Sequence, residues 1–405
     1  MQSLSMSGPL KVKTLSSLDE FLQHAAQWNQ LWESCKAYEA TSRCESIALW
    51  VQTFGKLENF RAIVVESTDG AFVGGIAFSV KANLGLRKLT LTANEWNNCG
   101  ELLISSNANT DEIIKLIVSE LQQVGDVLEL DLIQIDSKRW QALANCLTET
   151  QQSLEISRVK RVGVIDIGDD WNRYFQCLSG NHRSAVRRSE KKLHKNGTVQ
   201  LLRLANPEGE ALQTWMNQAF EIENRSWKAA NGSSILAAGM EKYFIEEAII
   251  ASKAGMLELW FLMLDDAPIA FEYCHLVKGN CHSYKIGYDE NFKKFGPGRL
   301  LRKMQLEHLM NQVEGGDTPT TTALDTMGLL CSTKAKWVTR DYRVGRMTAS
   351  LSSKAKFLVR GKQKLRQIKN RIRVPEDEQA GIQLGGASFL SGDLPTSNST
   401  PLSLG

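Results

Sequence analysis

The chain has 405 residues, 42% hydrophobic and 23% charged, with a formal net charge of +3; this is the profile of a folded protein with room for two domains, and it excludes a disordered or fibrous chain. No run approaches the roughly 18 uninterrupted apolar residues that a membrane-spanning helix needs, since the most apolar stretch, Met256 to Leu264, is short and carries Glu258. Met1 to Leu10 has no basic stretch leading into a long apolar core, so the sequence predicts no secretory signal and a cytoplasmic protein.

Ser17-Leu18-Asp19-Glu20 opens the first predicted helix, because the serine side chain and the glutamate can cap each other's free amides. Leu18, Phe21, Leu22, Ala25, Trp28, Leu31 and Trp32 form its apolar face. A helix at about Glu45 to Thr53 precedes three strand-like runs, Arg61 to Glu66, Phe72 to Val80 and Lys88 to Ala93. A helix from Asp111 to Gln123, a strand from Val127 to Gln134, a helix near Ser137 to Leu147 and a strand from Arg161 to Ile167 complete the first half.

The second half repeats the order. Asn206-Pro207-Glu208 reads as the start of a long helix, with asparagine as cap and proline in the first turn. Then come a helix at Glu241 to Lys253, strands at Leu257 to Leu264, Pro268 to Val277 and Cys281 to Asp289, and a helix from Pro297 to about Gln312. A strand at Thr320 to Asp325, a helix around Lys334 and a strand at Arg343 to Ser350 follow. Helix, helix, three strands, helix, strand, helix, strand occurs twice, which predicts two copies of one α/β domain, residues 1–165 and 166–350, with mixed sheets covered by helices on both faces. Lys354 to Arg373 holds nine basic residues and no acid, with Leu365, Ile368 and Ile372 at helical spacing. Residues 351–373 therefore read as a basic amphipathic helix, either on a membrane surface or nucleic acid or docked on the body of the protein. Residues 374–405, rich in small and polar residues without a sustained period, read as a disordered tail.

The eight cysteines are scattered singly and read as reduced, mostly buried thiols. Cys274-His275 and Cys281-His282 have the composition of a zinc site, but a hairpin turn at Lys278-Gly279-Asn280 would separate the pairs along two strands, so no metal is expected. No P-loop, dinucleotide fingerprint or Ser-His-Asp order is present. The sharpest local signal is Phe295-Gly296-Pro297-Gly298-Arg299-Leu300, between a strand and a helix. Amides at a helix N-terminus lack internal partners and attract anions, and glycines there admit a pyrophosphate; the same residues also suit a plain turn with proline at the helix start. Arg183, Arg187, Lys191 and Lys195 line one helical face, within a segment that also carries Arg188 and Lys192.

With a turn at Gly279-Asn280, residues whose numbers sum to 559 face each other, placing Phe271, Tyr273, His275, His282, Tyr284, Ile286 and Tyr288 on one face of the hairpin. Glu272 and Lys285 become diagonal neighbours on the other, as an ion pair or as groups poised for proton transfer. His275 is the general-base candidate by position. Asp325 ends a strand, where open α/β sheets bind ligands or begin a helix cap. Glu221, Glu223, Trp227 and Lys228 precede a loop, Asn231-Gly232-Ser233-Ser234, that would close over a substrate.

Glu223 to Ile235 (ENRSWKAANGSSI), Leu262 to Glu272 (LMLDDAPIAFE), Tyr284 to Leu301 (YKIGYDENFKKFGPGRLL) and Leu324 to Trp337, with Asp325, Gly328, Lys334 and Trp337, resemble the GNAT-like acetyltransferase family labelled cellulose-biosynthesis protein CelD or BcsL. That family is related to the tandem GNAT domains of Fem-type transferases. The resemblance covers about Asp166 to Ser350, and Trp32, Trp50, Phe54 and the Phe72 to Val80 strand make the first half compatible with it. It implies two tandem GNAT-like domains, each a mixed twisted sheet flanked by helices, the first without cofactor. Acetyl-CoA or another acyl-CoA would insert between Cys281 to Asp289 and Thr320 to Asp325, with its pyrophosphate at Gly296, Pro297, Gly298, Arg299 and Leu300. The chain has only Gly-Pro-Gly where typical GNAT enzymes have a longer glycine loop. Glu272, His275 and Tyr288 are the catalytic candidates, and Trp227, Lys228, Lys285 and Asp325 the substrate-binding ones. The implied reaction is acyl transfer to an amine or hydroxyl of a small molecule or saccharide in polysaccharide or cell-envelope synthesis, at or near the inner membrane. The basic segments at 183–195 and 354–373 leave two other readings open: a Fem-like transferase taking its group from aminoacyl-tRNA or an acidic acyl carrier protein, and a binding protein that has kept the GNAT-like shell without catalysis.

Overall fold

A computed structural model describes residues 9–36, 39–83, 85–311 and 321–358. The expected basic helix beyond Leu358 and the expected tail lie outside them. The first half comprises β1 (Lys11–Leu15), α1 (Leu18–Gln23), α2 (Ala25–Ser34), α3 (Cys44–Phe54), β2 (Phe60–Glu66), β3 (Phe72–Asn83), β4 (Leu86–Leu91), β5 (Leu103–Ile104), α4 (Thr110–Val124), β6 (Val127–Gln134), α5 (Lys138–Glu149) and β7 (Ser153–Asp166). The second comprises α6 (Trp171–Cys177), α7 (Gly180–His194), β8 (Val199–Ala205), α8 (Gly209–Asn224), α9 (Trp227–Ala230), α10 (Glu241–Lys253), β9 (Leu257–Leu264), β10 (Ala267–Val277), β11 (Asn280–Tyr288), α11 (Pro297–Asn311), β12 (Ala323–Leu329) and β13 (Arg340–Ser350). Among the described residues, no helix is long and apolar enough to cross a membrane.

Both halves join one mixed sheet, in the order β1-β2-β3-β4-β6-β13-β7-β12-β11-β10-β9-β8, with β5 beside β3. The expected repeat is visible in its pairing. In the first half β2, β3 and β4 are antiparallel and β4 runs parallel to β6; in the second β9, β10 and β11 are antiparallel and β11 runs parallel to β12. The last strand of each half crosses over: β13 lies between β6 and β7, and β7 lies between β13 and β12. Each half thus completes its sheet with a strand from the other.

Helices cover both faces, as expected. Ile113, Ile114, Ile117, Val118 and Leu121 of α4 pack with Trp140, Leu143 and Leu147 of α5 on one face of the first half, while Phe21, Trp28, Leu31, Trp32 and Ile47 from α1 to α3 pack on the other. In the second half α6, α7 and α11 cover one face and α8 and α10 the other. All eight residues of β9 are buried, consistent with a strand covered on both sides. Its one charge, Glu258, takes two hydrogen bonds from the Arg203 guanidinium on β8.

Several local expectations need correction. Ser17 accepts from the Glu20 amide, but the Glu20 carboxylate accepts from Ser16 instead of closing on Ser17, and the chain breaks at His24 into two helices. Asn206 does not cap α8. Its side chain accepts from the Leu257 amide and its φ is +48°, while Glu208 precedes the first helical turn. The helix expected around Lys334 is a single 3₁₀ turn, Lys334–Lys336. Edge strands β1 and β8 had no counterpart in the sequence reading.

The hairpin register also differs. Lys278 and Gly279 have φ of +49° and +79°, the two left-handed residues of a type I′ turn. The turn is therefore Lys278-Gly279, and His275 faces His282, a sum of 557 instead of 559. A left-handed lysine is unusual. Here its ammonium donates to the carbonyls of Trp32, Glu33 and Cys35 at the end of α2, at 2.8–3.0 Å, and so satisfies helix-end acceptors of the other half.

Candidate active site

β11 and β12 pair over only three residues, Asn280 to His282 with Ala323 to Asp325, and then part. Past that point β11 has a bulge. Tyr273 faces Lys285 and Cys274 faces Ser283, which leaves Tyr284 as the extra residue. Tyr284 and Lys285 both turn toward the α10 side: the Tyr284 ring lies 4.9 Å from that of His275, and the Lys285 ammonium sits 4.6 Å from the Phe244 ring centre and donates to the Trp96 carbonyl of the first half. Burial pushes the Lys285 amine down to about 8.

The N-terminus of α11 borders this gap. Gly296 has φ +67°, and a Cβ there would meet Ser189 Oγ at 2.9 Å, so backbone conformation and packing both require glycine. Gly298 is different. A Cβ there would touch only the Tyr288 ring, at 3.7 Å, an ordinary contact. Arg299 is engaged structurally, donating to Ser189 Oγ and the Ala185 carbonyl of α7, and Leu300 is buried, its amide closing the first turn on the Gly296 carbonyl. α7 packs along α11. His182, Val186, Ser189 and Leu193 face inward, and Arg187, Arg188, Lys191, Lys192 and Lys195 are exposed.

The remaining site candidates fall into three places. Glu272 does not pair with Lys285; the corrected register sets it opposite Ile286, and it accepts from Arg302 of α11 at 2.8 Å, on the other sheet face. His275 lies with Tyr273 around Glu247 of α10: His275 Nε2 is 3.0 Å from one carboxylate oxygen, and Tyr273 donates to the other. Tyr288 stands beside Gly298, with its hydroxyl on Glu290. Lys228 donates to buried Glu223 and to the Ile286 carbonyl, while Trp227 is 55% exposed. Glu223 also accepts from the Ile235 amide, and Ser234 donates to Asn224, so the loop expected to close over a substrate is pinned to α8.

Cys274 and Cys281 share the α11 face, and His275 and His282 oppose each other on the α10 face, so the four do not converge. Among the described residues, no three His, Cys, Asp or Glu side chains form a metal-binding group.

Sequence reasoning missed a cleft of about 460 Å³ between the halves. Glu39, Asn98, Glu101, Arg139 and Trp140 line it from the first half, and His282, Asp325 and Tyr342 from the second. Asp325 Oδ1 accepts from the Met327 amide and Oδ2 from the Tyr342 hydroxyl at 2.8 Å, and burial raises its carboxyl. Glu101 and Arg139 form a two-bond pair. Burial and the nearby Glu101 push the Glu39 carboxyl up to about 8. Among the described residues, His282, 7% exposed, has no hydrogen-bond partner on either ring nitrogen, and neither has the buried indole nitrogen of Trp140. Asp325 had a sequence signal, its place at a strand end, and His282 stood out only as part of the hairpin face and of the zinc-like composition.

Burial and neighbouring His275 lower the His282 imidazole to about 3. Its folded value lies below the unfolded 6.5, so the unfolded chain binds the extra proton and stability falls as pH drops below about 6.5 toward 3. Between pH 7 and pH 5 this group alone removes about 2 kcal/mol. Urea titrations at the two pH values should show that loss, and His282→Gln should shrink it; an unchanged difference in the variant would assign the pH dependence to other groups.

The strand pair that parts after three residues, with a helix starting at its mouth, coincides with a family match. Residues 180–316 match the acetyltransferase (GNAT) domain. The whole fold has solved relatives at low identity. FemX superposes with a TM-score of 0.54 at 10% identity, over 86% of this chain and 99% of that one. A conserved protein of unknown function from Bacteroides thetaiotaomicron gives 0.51 at 9% identity, over 84% and 100%. The C-terminal domain of a protein described as a lysylphosphatidylglycerol synthetase, from Agrobacterium fabrum, gives 0.50 at 10% identity, over 84% and 95%. No curated protein matches. Residues 180–316 are thus similar to the GNAT acetyltransferase domain, and the fold as a whole is similar to that of FemX; the comparisons do not extend to the cellulose-biosynthesis label.

Proposed function

We propose that the protein is an acyltransferase that takes an acyl group from acetyl-CoA or a longer acyl-CoA and passes it directly to an amine or hydroxyl. The observation that carries this reading is the gap between β11 and β12, which opens beside a helix start holding Gly298, a glycine that packing does not demand. A thioester entering the gap would meet strand amides that polarise its carbonyl, and its phosphates would meet the Gly298 amide at the start of α11 and the exposed bases of α7. The first half suits a domain without cofactor: the Asn109 side chain takes the Asp111 and Glu112 amides at the start of α4, where a phosphate would otherwise bind. Glu272, His275 and Tyr288 stay candidates for proton transfer, Trp227, Lys228 and Lys285 for substrate contact; a saccharide or cell-envelope acceptor rests on the family resemblance, and a cytoplasmic place peripheral to the inner membrane on the basic segments at 183–195 and 354–373.

The test is thermal stabilisation by acetyl-CoA and longer acyl-CoAs. A ligand at 100 times its Kd adds about 2.7 kcal/mol. Gly298→Glu should abolish the shift and leave the unliganded melting temperature within a few degrees. An undiminished shift in that variant removes the proposed phosphate site. The exposed bases of α7 favour one second reading, a Fem-like donor such as aminoacyl-tRNA or an acyl carrier protein; it predicts no shift with CoA thioesters and salt-sensitive donor binding that Arg187→Glu with Lys191→Glu destroys.

A further inference from the structure

α7 carries positive charge that the rest of the fold does not neutralise. Arg187, Arg188, Lys191, Lys192 and Lys195 are exposed, and among the described residues none has a carboxylate partner. Exposed arginines on β7 and β13 do: Arg161, Arg340 and Arg343 pair with Asp341, Asp166 and Asp136. The one acid of α7, Glu190, is taken by Lys303 of α11. The 3₁₀ segment Glu290–Phe295 packs against α7 and adds Lys294, whose ammonium lies over the Phe295 ring, while its Lys293 holds Glu290. Acid borders the patch beyond Lys195, where Asp265 takes the Thr198 amide. The five bases lie within about 12 Å along the helix axis. Arg187 with Lys191, Arg188 with Lys192 and Lys191 with Lys195 are like charges at the i,i+4 spacing, which weakens the helix until an anionic partner removes the repulsion.

The make-up of the patch selects the partner. α7 holds no Phe, Tyr or Trp on which a nucleic-acid base would stack. Three of the five bases are lysines, point charges without the planar fork that grips single phosphates in pairs. A broad outward face of mobile point charges matches a surface of diffuse negative charge, and each base near an anionic bilayer strengthens binding about fivefold. We propose that the outward face of α7 is a docking surface for an anionic lipid bilayer, with Arg187, Arg188, Lys191 and Lys192 against the headgroup phosphates and Lys294 beside them. The docking stands independently of the acyltransferase reading, and its consequence rests on that reading. α7 packs along α11, so a docked protein holds the start of α11 and the mouth of the gap next to the bilayer, where a long-chain acyl-CoA partitions.

Vesicle flotation of the full-length protein, without any CoA, tests this. Vesicles of phosphatidylcholine with about one-third phosphatidylglycerol should carry the wild type, vesicles of phosphatidylcholine alone should not, and raising the salt from ~0.1 to ~0.5 M should release it. Arg188→Glu with Lys191→Glu and Lys192→Glu should weaken binding roughly 100-fold or more, and its urea midpoint should not fall, because the three side chains are exposed and unpaired among the described residues. Lys354 to Arg373 is a second basic segment of the same chain, so Lys362→Glu with Lys364→Glu and Arg366→Glu is the control and should retain binding within about tenfold of wild type. Vesicle binding lost in the control and kept in the α7 variant would overturn the assignment. So would equal binding to phosphatidylcholine alone, or tighter binding to transfer RNA than to the vesicles at equal phosphate concentration. Intact flotation without an acyl-CoA melting shift would count against the donor reading and support the docking surface on its own.

Discussion

A chain ending at Val338, without β13, is expected to lose the fold of both halves. β13 forms ladders with β6 on one side and β7 on the other, and its Met347 and Ala349 belong to the first half's core. Its removal opens two strand edges in the middle of the sheet and uncovers that core, a loss that exceeds the ~5–15 kcal/mol by which domains are stable. Residues 1–165 alone should fail for the same reason, because β7 would have no neighbour on either side. Circular dichroism and limited proteolysis of the two truncated chains check this. A cooperative melt from either one would mean that each half completes its own sheet.

Glu247→Ala should cost about 3–5 kcal/mol, measured as a lower urea midpoint. The carboxylate is buried and serves His275 and Tyr273 together, and among the described residues the neighbouring Tyr284 hydroxyl has no hydrogen-bond partner. Alanine leaves two buried polar groups with only their mutual 3.2 Å contact, and a cavity besides. Glu247→Gln keeps two hydrogen-bonding atoms and should lose less. Equal midpoints for the alanine variant and wild type would show that this cluster does not hold α10 to the sheet.

Periodicity made the ordered, buried elements legible. β6, β9 and α10 lie at the residues their patterns indicated, because a fully buried strand or a long amphipathic helix writes its face into consecutive positions. Edge strands β1 and β8 were silent, since their half-exposed residues carry little alternation. The hairpin register hinged on whether lysine would take a left-handed conformation, and the compensation comes from α2, some 245 residues away. The cleft was hidden for a similar reason. Glu39, Arg139, His282 and Tyr342 are ordinary residues in separate elements, and only the crossing of β7 and β13 brings their strands and loops to one place. The Gly296 to Leu300 loop was readable because a strand, two glycines and a helix start stand next to one another in the chain.

The crossing also sets a schedule for synthesis. When β6 leaves the ribosome its partner is still about 200 residues from being made, so the first half must wait with an open strand edge beside β6 while α6 to α11 are translated. At 5–20 residues per second that wait lasts roughly 10–40 s, long enough for an unprotected edge to find another chain. Slowed translation between residues 166 and 340 should therefore raise aggregation of the nascent protein, and a chaperone that shields strand edges should matter most over the same stretch.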